Sequence, residues 1–181
     1  MDITTYNTRP EDAVRIREEV FMKEQGFHDE FDSTDRTAFH IVLYIEGKPA
    51  GTCRFFPGQP EGEYVIGRIA VLKEYRGEGL GSKVLTAAES AIRDAGGQKA
   101  VLHAQQQARL FYEKLGYTAY GEPDLDEGCP HIWMREKLCG LERQRKQKRL
   151  LLTRFSGNQL IWQSHMTLLP PLASLSLSSI S

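Results

Sequence analysis

One stretch of this 181-residue chain limits its fold more than any other: Ile69-Ala70-Val71-Leu72-Lys73-Glu74-Tyr75-Arg76-Gly77-Glu78-Gly79-Leu80-Gly81-Ser82. A β-branched strand ends, the chain turns through an arginine and alternate glycines, and a helix begins. Leu80, Val84, Leu85, Ala88 and Ile92 then recur at spacings of three and four, the period of an amphipathic helix, until Gly96-Gly97 stop it. Glycines let backbone approach a ligand closely, and the first N–H groups of a helix, unpaired within it, face that ligand with the positive end of the dipole. Arg76 adds a guanidinium fork matched to phosphate oxygens. The turn is built for a diphosphate. It is not the dinucleotide fingerprint, which needs G-x-G-x-x-G where this chain has G-x-G-x-G. Nor is it a P-loop, because Gly81-Ser82-Lys83 reverses the required Lys and Ser.

The surrounding chain predicts a mixed sheet. Ile3–Tyr6 alternates weakly as a short strand. Thr8-Arg9-Pro10-Glu11-Asp12 reads as a helix start, with a hydroxyl near the cap, proline in the first turn and acids at the positive end. Val14, Ile16, Val20 and Phe21 carry its apolar stripe to about Met22, and the polar Gly26–Thr37 reads as loop or broken helix. Phe39–Ile45 and Ala50–Phe56 flank Glu46-Gly47 as a hairpin, Pro57–Gly62 is a loop, and Tyr64–Val71 is a fourth strand. Ala100–Ala104 is a buried strand, Ala108–Leu115 a short helix ended by Gly116. Thr118–Tyr120 and His131–Arg135 close the sheet around a loop at Gly121–Pro130. The order β-α-β-β-β-α-β-α-β-β gives an α/β fold of the α+β type, with helices on both faces.

Charge divides the chain. Residues 1–138 carry 17 Lys and Arg against 23 Asp and Glu, whereas residues 139–181 carry 6 against 1. An acidic body with a basic tail is unlike a dedicated nucleic-acid binder. The tail holds the run Gln144–Arg149 and a Leu/Ser stretch, Leu168–Ser181, and is expected to be partly helical or disordered, outside a domain of residues 1–138. Contact of its basic run with nucleic acid or an anionic membrane is an alternative to a merely solvated run. Cys53, Cys129 and Cys139 show no metal-ligand spacing, nor do the histidines, so no metal is expected. The first residues have neither a basic region nor an apolar run, no stretch approaches a membrane-helix length, and a cytoplasmic protein is expected.

The segment R-x-x-G-x-G after a strand of the type Ile-Ala-Val resembles the coenzyme A pyrophosphate loop of the GNAT superfamily of N-acetyltransferases. About thirty residues on, Ala108-Arg109-Leu110-Phe111-Tyr112-Glu113-Lys114-Leu115-Gly116-Tyr117 resembles that superfamily's second signature, A-x-x-F-Y-x-x-x-G-[FY]. Glu24-Gln25, His103-Ala104-Gln105 and Gly128-Cys129-Pro130-His131 are similar to a bacterial subgroup of it.

The resemblance implies a splayed pair of fourth and fifth strands, with acetyl-CoA as acyl donor and no metal. The pantetheine arm would pair with the backbone at Ile69, Ala70 and Val71. Arg76 and the amides of Gly77, Gly79, Leu80, Gly81 and Ser82 would hold the pyrophosphate, with Gln105 and Phe111 close to the cofactor. Tyr112 matches the general acid that protonates the leaving thiolate. Glu24, His103 and His131 are alternative bases for the amine. The acids Asp29, Glu30, Asp32 and Asp35 either attract a cationic amine or are solvated loop, and Arg54 and Arg68 pair with acids across the sheet. The implied reaction is acetyl transfer to a primary amine, of a small molecule, by direct attack in a ternary complex. A protein or peptide acceptor and a non-catalytic CoA-ester-binding regulator are the alternatives. A homodimer is implied by analogy alone.

Overall fold

The hairpin Phe39–Ile45 and Lys48–Pro57 is the frame on which the sheet is built, and its tight turn places Glu46 at φ 50° and Gly47 at φ 77°. Successive left-handed residues match the right-handed strand twist, which is why a glycine falls there. A computed structural model describes residues 1–126 and 128–138. The basic run, the Leu/Ser stretch, Cys139 and the expected boundary with the tail lie outside the described residues.

Seven strands form one sheet: β1 (Asp2–Tyr6), β2 (Phe39–Ile45), β3 (Lys48–Pro57), β4 (Glu63–Val71), β5 (Lys99–Gln105), β6 (Thr118–Asp126) and β7 (Cys129–Lys137). Their spatial order is β1-β2-β3-β4-β5-β7-β6. Every neighbouring pair is antiparallel except β4 and β5. The helices are α1 (Glu11–Arg17), α2 (Leu80–Asp94) and α3 (Arg109–Lys114). Among the described residues no helix is long and apolar enough to cross a membrane.

Two cores lie on opposite faces of the sheet. Leu80, Val84, Leu85, Ala88 and Ile92 of α2, the predicted stripe, pack against Ile41, Leu43, Cys53, Phe55 and Ile66. Ala13, Ile16 and Val20 pack against Val42 and Ala70 on the other face. A bulge in β4 decides which side chains reach which core. Thr52 pairs with Ala70 but Arg54 with Gly67, so Arg68 and Ile69 together oppose Cys53, and Arg68 takes a left-handed φ of 54°. The extra residue reverses the alternation, so that Ile66 and Ile69 both face the α2 core while Ala70 faces α1.

Three local readings are corrected. Pro10 is itself the cap of α1, accepting from the N–H groups of Ala13 and Val14, and no side chain caps that end. The helix then widens into a π-helical stretch, Glu18–Glu24, which the apolar spacing did not disclose. The expected Gly121–Pro130 loop is largely strand, because a register shift between Tyr120 and Asp124 lets β6 resume pairing with β7.

The acids of the loop after α1 are not simply solvated. Arg17, only 1% exposed, donates Nε to Glu30 at 2.6 Å and its terminal nitrogens to Asp35 at 2.7 and 3.0 Å. Arg54 donates to Asp32 at 2.6 and 2.8 Å and to Asp35 at 2.8 Å. Burial alone would raise the Asp35 carboxyl, but the hydrogen bonds from Arg17 and Arg54 prevail and hold it well below the ordinary carboxylate range. At Glu30 burial prevails over Arg17 and Arg68, and the carboxyl is pushed up. The cluster ties α1, its loop and β3 together, and removing one member leaves its partners buried and short of countercharge.

Asp35→Asn is therefore expected to cost on the order of 3 kcal/mol at neutral pH, measured by denaturant unfolding. A depressed carboxyl stabilises the fold above its unfolded value of about 4, and that contribution fades as pH falls toward the folded value. The gap between wild type and variant should accordingly narrow below about pH 4. An equal gap at pH 7 and pH 3 would reject the ionic origin of the effect.

Candidate active site

β4 and β5 pair in parallel at only three positions, Glu63 with Lys99, Tyr64 with Ala100 and Val65 with Val101. Beyond Val65 the strands diverge. Because Leu72 donates its N–H to Ala50 across the β3 edge, the alternation of an antiparallel ladder turns the Val71 N–H and C=O toward the gap. The Val71 carbonyl accepts from Arg76 Nε at 2.9 Å. A strand edge with spare backbone groups thus borders an opening inside the sheet.

The opening holds a cavity of about 430 Å³. Ile69, Gln105 and Tyr112 line it, with His103 and His131; Phe21, Phe27 and Phe56 supply apolar walls, and Arg68 also faces it. Beyond the diverging end of β4 comes the turn into α2, whose Arg76 lines an adjoining recess that shares Gln25, Phe27 and Gln105 with the cavity. Gly77 and Gly79 have φ of 86° and 73°, so glycine is required there by backbone conformation, and a Cβ at either position would meet nothing within 4 Å. The first bond within α2 runs from Lys83 N–H to the Gly79 carbonyl, which leaves the N–H groups of Leu80, Gly81 and Ser82 outside the helix's own ladder. Leu80 and Ala70 bury their side chains in the two cores, and Ala70 pairs with Thr52 of β3, so neither side chain reaches the opening. A Cβ on Gly81 would lie 3.4 Å from the Phe111 ring, which places α3 against the turn.

Tyr112 is buried on α3, its ring 5.0 Å from Phe111 and 6.0 Å from Tyr117. Burial, with the Cys53 sulfur adding to it, pushes the phenol well above its ordinary value. The phenol therefore keeps its proton at any working pH.

The base candidates divide. Glu24 lies outside this cavity, in an adjoining recess, and grips Arg76 with both oxygens at 2.6 and 2.7 Å. The Arg76 hydrogen bond holds the Glu24 carboxyl below its usual value, which makes it a poor proton acceptor. Gln25 beside it accepts from Gln105 at 2.8 Å, so Glu24-Gln25 reaches the turn after β4 and the end of β5 at once. His131 is buried and its Nδ1 lies 2.8 Å from the Cys129 carbonyl. A carbonyl only accepts, so Nδ1 carries the proton and the neutral ring keeps its lone pair on Nε2. His103 Nε2 lies 2.6 Å from Asp124, and its ring stacks on Trp133 at 4.7 Å and meets the His131 ring at a tilt at 4.8 Å.

Three participants escaped the sequence reading. Asp124 sat in an expected loop and reaches His103 only through the register shift in β6. Gln25 was visible as part of a motif but carried no assigned partner. Arg68 was expected to pair with acids, and it does, with Glu30 at 2.9 Å, but it also lines the cavity. Among the described residues no group of three or more His, Cys, Asp and Glu side chains gathers where an ion could be held.

The arrangement matches known proteins along most of the described chain. The family model "Acetyltransferase (GNAT) domain" matches residues 7–138. An uncharacterised N-acetyltransferase, YjcF of Bacillus subtilis, is 40% identical over 126 residues, spanning 68% of this chain and 89% of its own. A solved structure from Lactobacillus plantarum superposes with a TM-score of 0.71 at 31% identity, covering 76% of this chain and 97% of that one. An acyl-CoA N-acyltransferase from Pseudomonas aeruginosa superposes with a TM-score of 0.67 at 27% identity, over 75% and 98% of the two chains. By its glycine turn, its splayed strands and this match over residues 7–138, the chain belongs to the GNAT acetyltransferase family.

Proposed function

We propose that the protein transfers the acetyl group of acetyl-CoA to the primary amine of a small molecule, by direct attack with donor and acceptor bound together. Acyl-CoA-dependent acetyl transfer is the chemistry of the family. The observation that carries it is the joining of a buried phenol and an imidazole with a free Nε2 in one cavity, between strands whose gap opens beside an unpaired helix start. A volume of about 430 Å³ suits a small acceptor.

An extended amide chain lying along β4, as an added strand would, is taken to pair with the Val71 N–H on the gap-facing edge and with the backbone of Ile69. The first-turn amides of α2 and the Arg76 guanidinium fit the two phosphates of coenzyme A. The acetyl thioester supplies the electrophile. A Val71 N–H turned toward the gap is placed to donate to a carbonyl oxygen as charge builds on it. His131 Nε2 takes the proton of the incoming ammonium, directly or through water, and Tyr112 supplies the proton to the departing sulfur. His103, held by Asp124, braces the His131 ring.

Isothermal titration with acetyl-CoA is the direct test of the donor. Wild type should bind, and Gly81→Val, which drives methyl groups toward Phe111 and the turn, should weaken binding at least about tenfold. No binding by wild type would reject the reading.

Tyr112→Phe and His131→Gln should each lower kcat by about 100-fold while leaving the acetyl-CoA dissociation constant nearly unchanged. Full turnover in either variant would remove that residue from the mechanism. Glu24→Gln releases Arg76 from an exposed carboxylate pair, and acetyl-CoA affinity should rise by up to about fivefold. Unchanged affinity would mean that Arg76 does not meet the phosphates.

A further inference from the structure

Three arginines share the ionic cluster beside the cavity, and one differs from the others. Arg17 bonds through Nε and both terminal nitrogens, and Arg54 through both terminal nitrogens. Arg68 is held by Nε alone, 3.2 Å from the Glu30 carbonyl and 2.9 Å from the Glu30 carboxylate. Its nearest further acid is Asp32 at 3.8 Å, beyond hydrogen-bond reach, and that carboxylate is already engaged by Arg54. Among the described residues no acceptor meets the terminal nitrogens of Arg68. A guanidinium anchored at Nε and open at its fork is oriented for a bidentate carboxylate.

Position strengthens the case. Arg68 lines the cavity and owes its place to the bulge, at a left-handed φ that a side chain rarely adopts. It shares a sheet face with Arg54, His103 and His131, and the gap between β4 and β5 lies between it and the histidines. Among the described residues, Arg54 and Arg68 are the two guanidinium groups in the cavity wall, and both terminal nitrogens of Arg54 are already taken up by Asp32 and Asp35. Asp126 lines the cavity, as does Asp29, and these suit the ammonium end of a ligand. Phe21, Phe27 and Phe56 suit an apolar body. Glu30 and Asp32 close behind Arg68 disfavour a dianion such as phosphate.

We infer that Arg68 clamps a carboxylate of the acceptor, so that the acceptor is an amino acid or a compound of the same chemistry, with an amine and a carboxylate on an apolar frame. The inference rests on the acetyltransferase reading above and narrows it. The ammonium gives one proton to His131, and the nitrogen bonds to the acetyl carbon. The carbon–sulfur bond breaks, and the sulfur leaves with a proton from Tyr112, which the second nitrogen proton replaces. The products are an N-acetyl amino acid, the thiol and one proton, with the carboxylate unchanged.

The test compares the standard amino acids with their carboxamides and the corresponding decarboxylated amines, using acetyl-CoA and the full chain. For the best amino acid, kcat/KM should exceed that of its carboxamide by at least about tenfold, because a clamp left unfilled rejects the analogue. Arg68→Gln should erase that difference while leaving acetyl-CoA affinity unchanged, and Arg68→Lys, which keeps the charge, should retain part of it. Independently of turnover, the N-acetyl amino acid should bind the CoA-loaded wild type more tightly than its carboxamide, and Arg68→Gln should remove that preference. Carboxamides or plain amines used as well as amino acids, acceptance of no compound, or a preference that survives Arg68→Gln would each overturn the inference. Failure of wild type to bind acetyl-CoA would instead overturn the reading beneath it, and the inference with it.

Discussion

The whole site depends on a parallel ladder that stops after three residue pairs. Two strands that part inside a sheet leave backbone donors and acceptors that neighbouring strands would otherwise satisfy, and such an opening closes unless both strands are held from outside. Here β4 is held by β3 along most of its length, and β5 by β7 at every position from Lys99 to Gln105. The sheet can therefore gape in its middle without losing either half. Through that gap the two faces, each with its own core, share one cavity.

The bulge at Arg68 is the second requirement. Without an extra residue there, strict alternation after Ile66 would send Ile69 toward α1 and Ala70 toward α2, and neither core would pack as it does. The cluster of Arg17, Arg54, Glu30 and Asp35 then anchors the loop after α1 against this same region, so the wall of the cavity is held by buried ion pairs rather than by a regular element. Rigidity of that kind is sensitive to the loss of a single charge.

The glycine turn, the α2 stripe and the succession of strands and helices along the chain were legible because each rests on a local signal: backbone freedom, a period of 3.6, or a β-branched run. The Phe111-Tyr112 signature likewise marks α3 in the sequence. Features that depend on pairing register were not legible. The bulge in β4 and the shift in β6 change which residue opposes which, and no spacing within one strand records that. For the acids Glu30 and Asp35 the sequence left open an amine-attracting and a solvated role but not ion pairing, because their partner Arg17 lies 13 and 18 residues away on α1. Glu24 illustrates the same limit, since its hold on Arg76, 52 residues distant, exists only in three dimensions.

The two faces speak to ligands in different alphabets. Around the α2 turn the contacts on offer are chiefly main-chain amides, and a main chain is spelled alike whatever side chains hang from it. Across the gap, the wall made by the π-helical stretch, the loop after it and the histidines offers chiefly side chains. Drift in sequence can therefore rewrite one wall while the other stays legible to the same molecule. On the proposed assignment, a lineage with this architecture can explore new acceptors without renegotiating its donor.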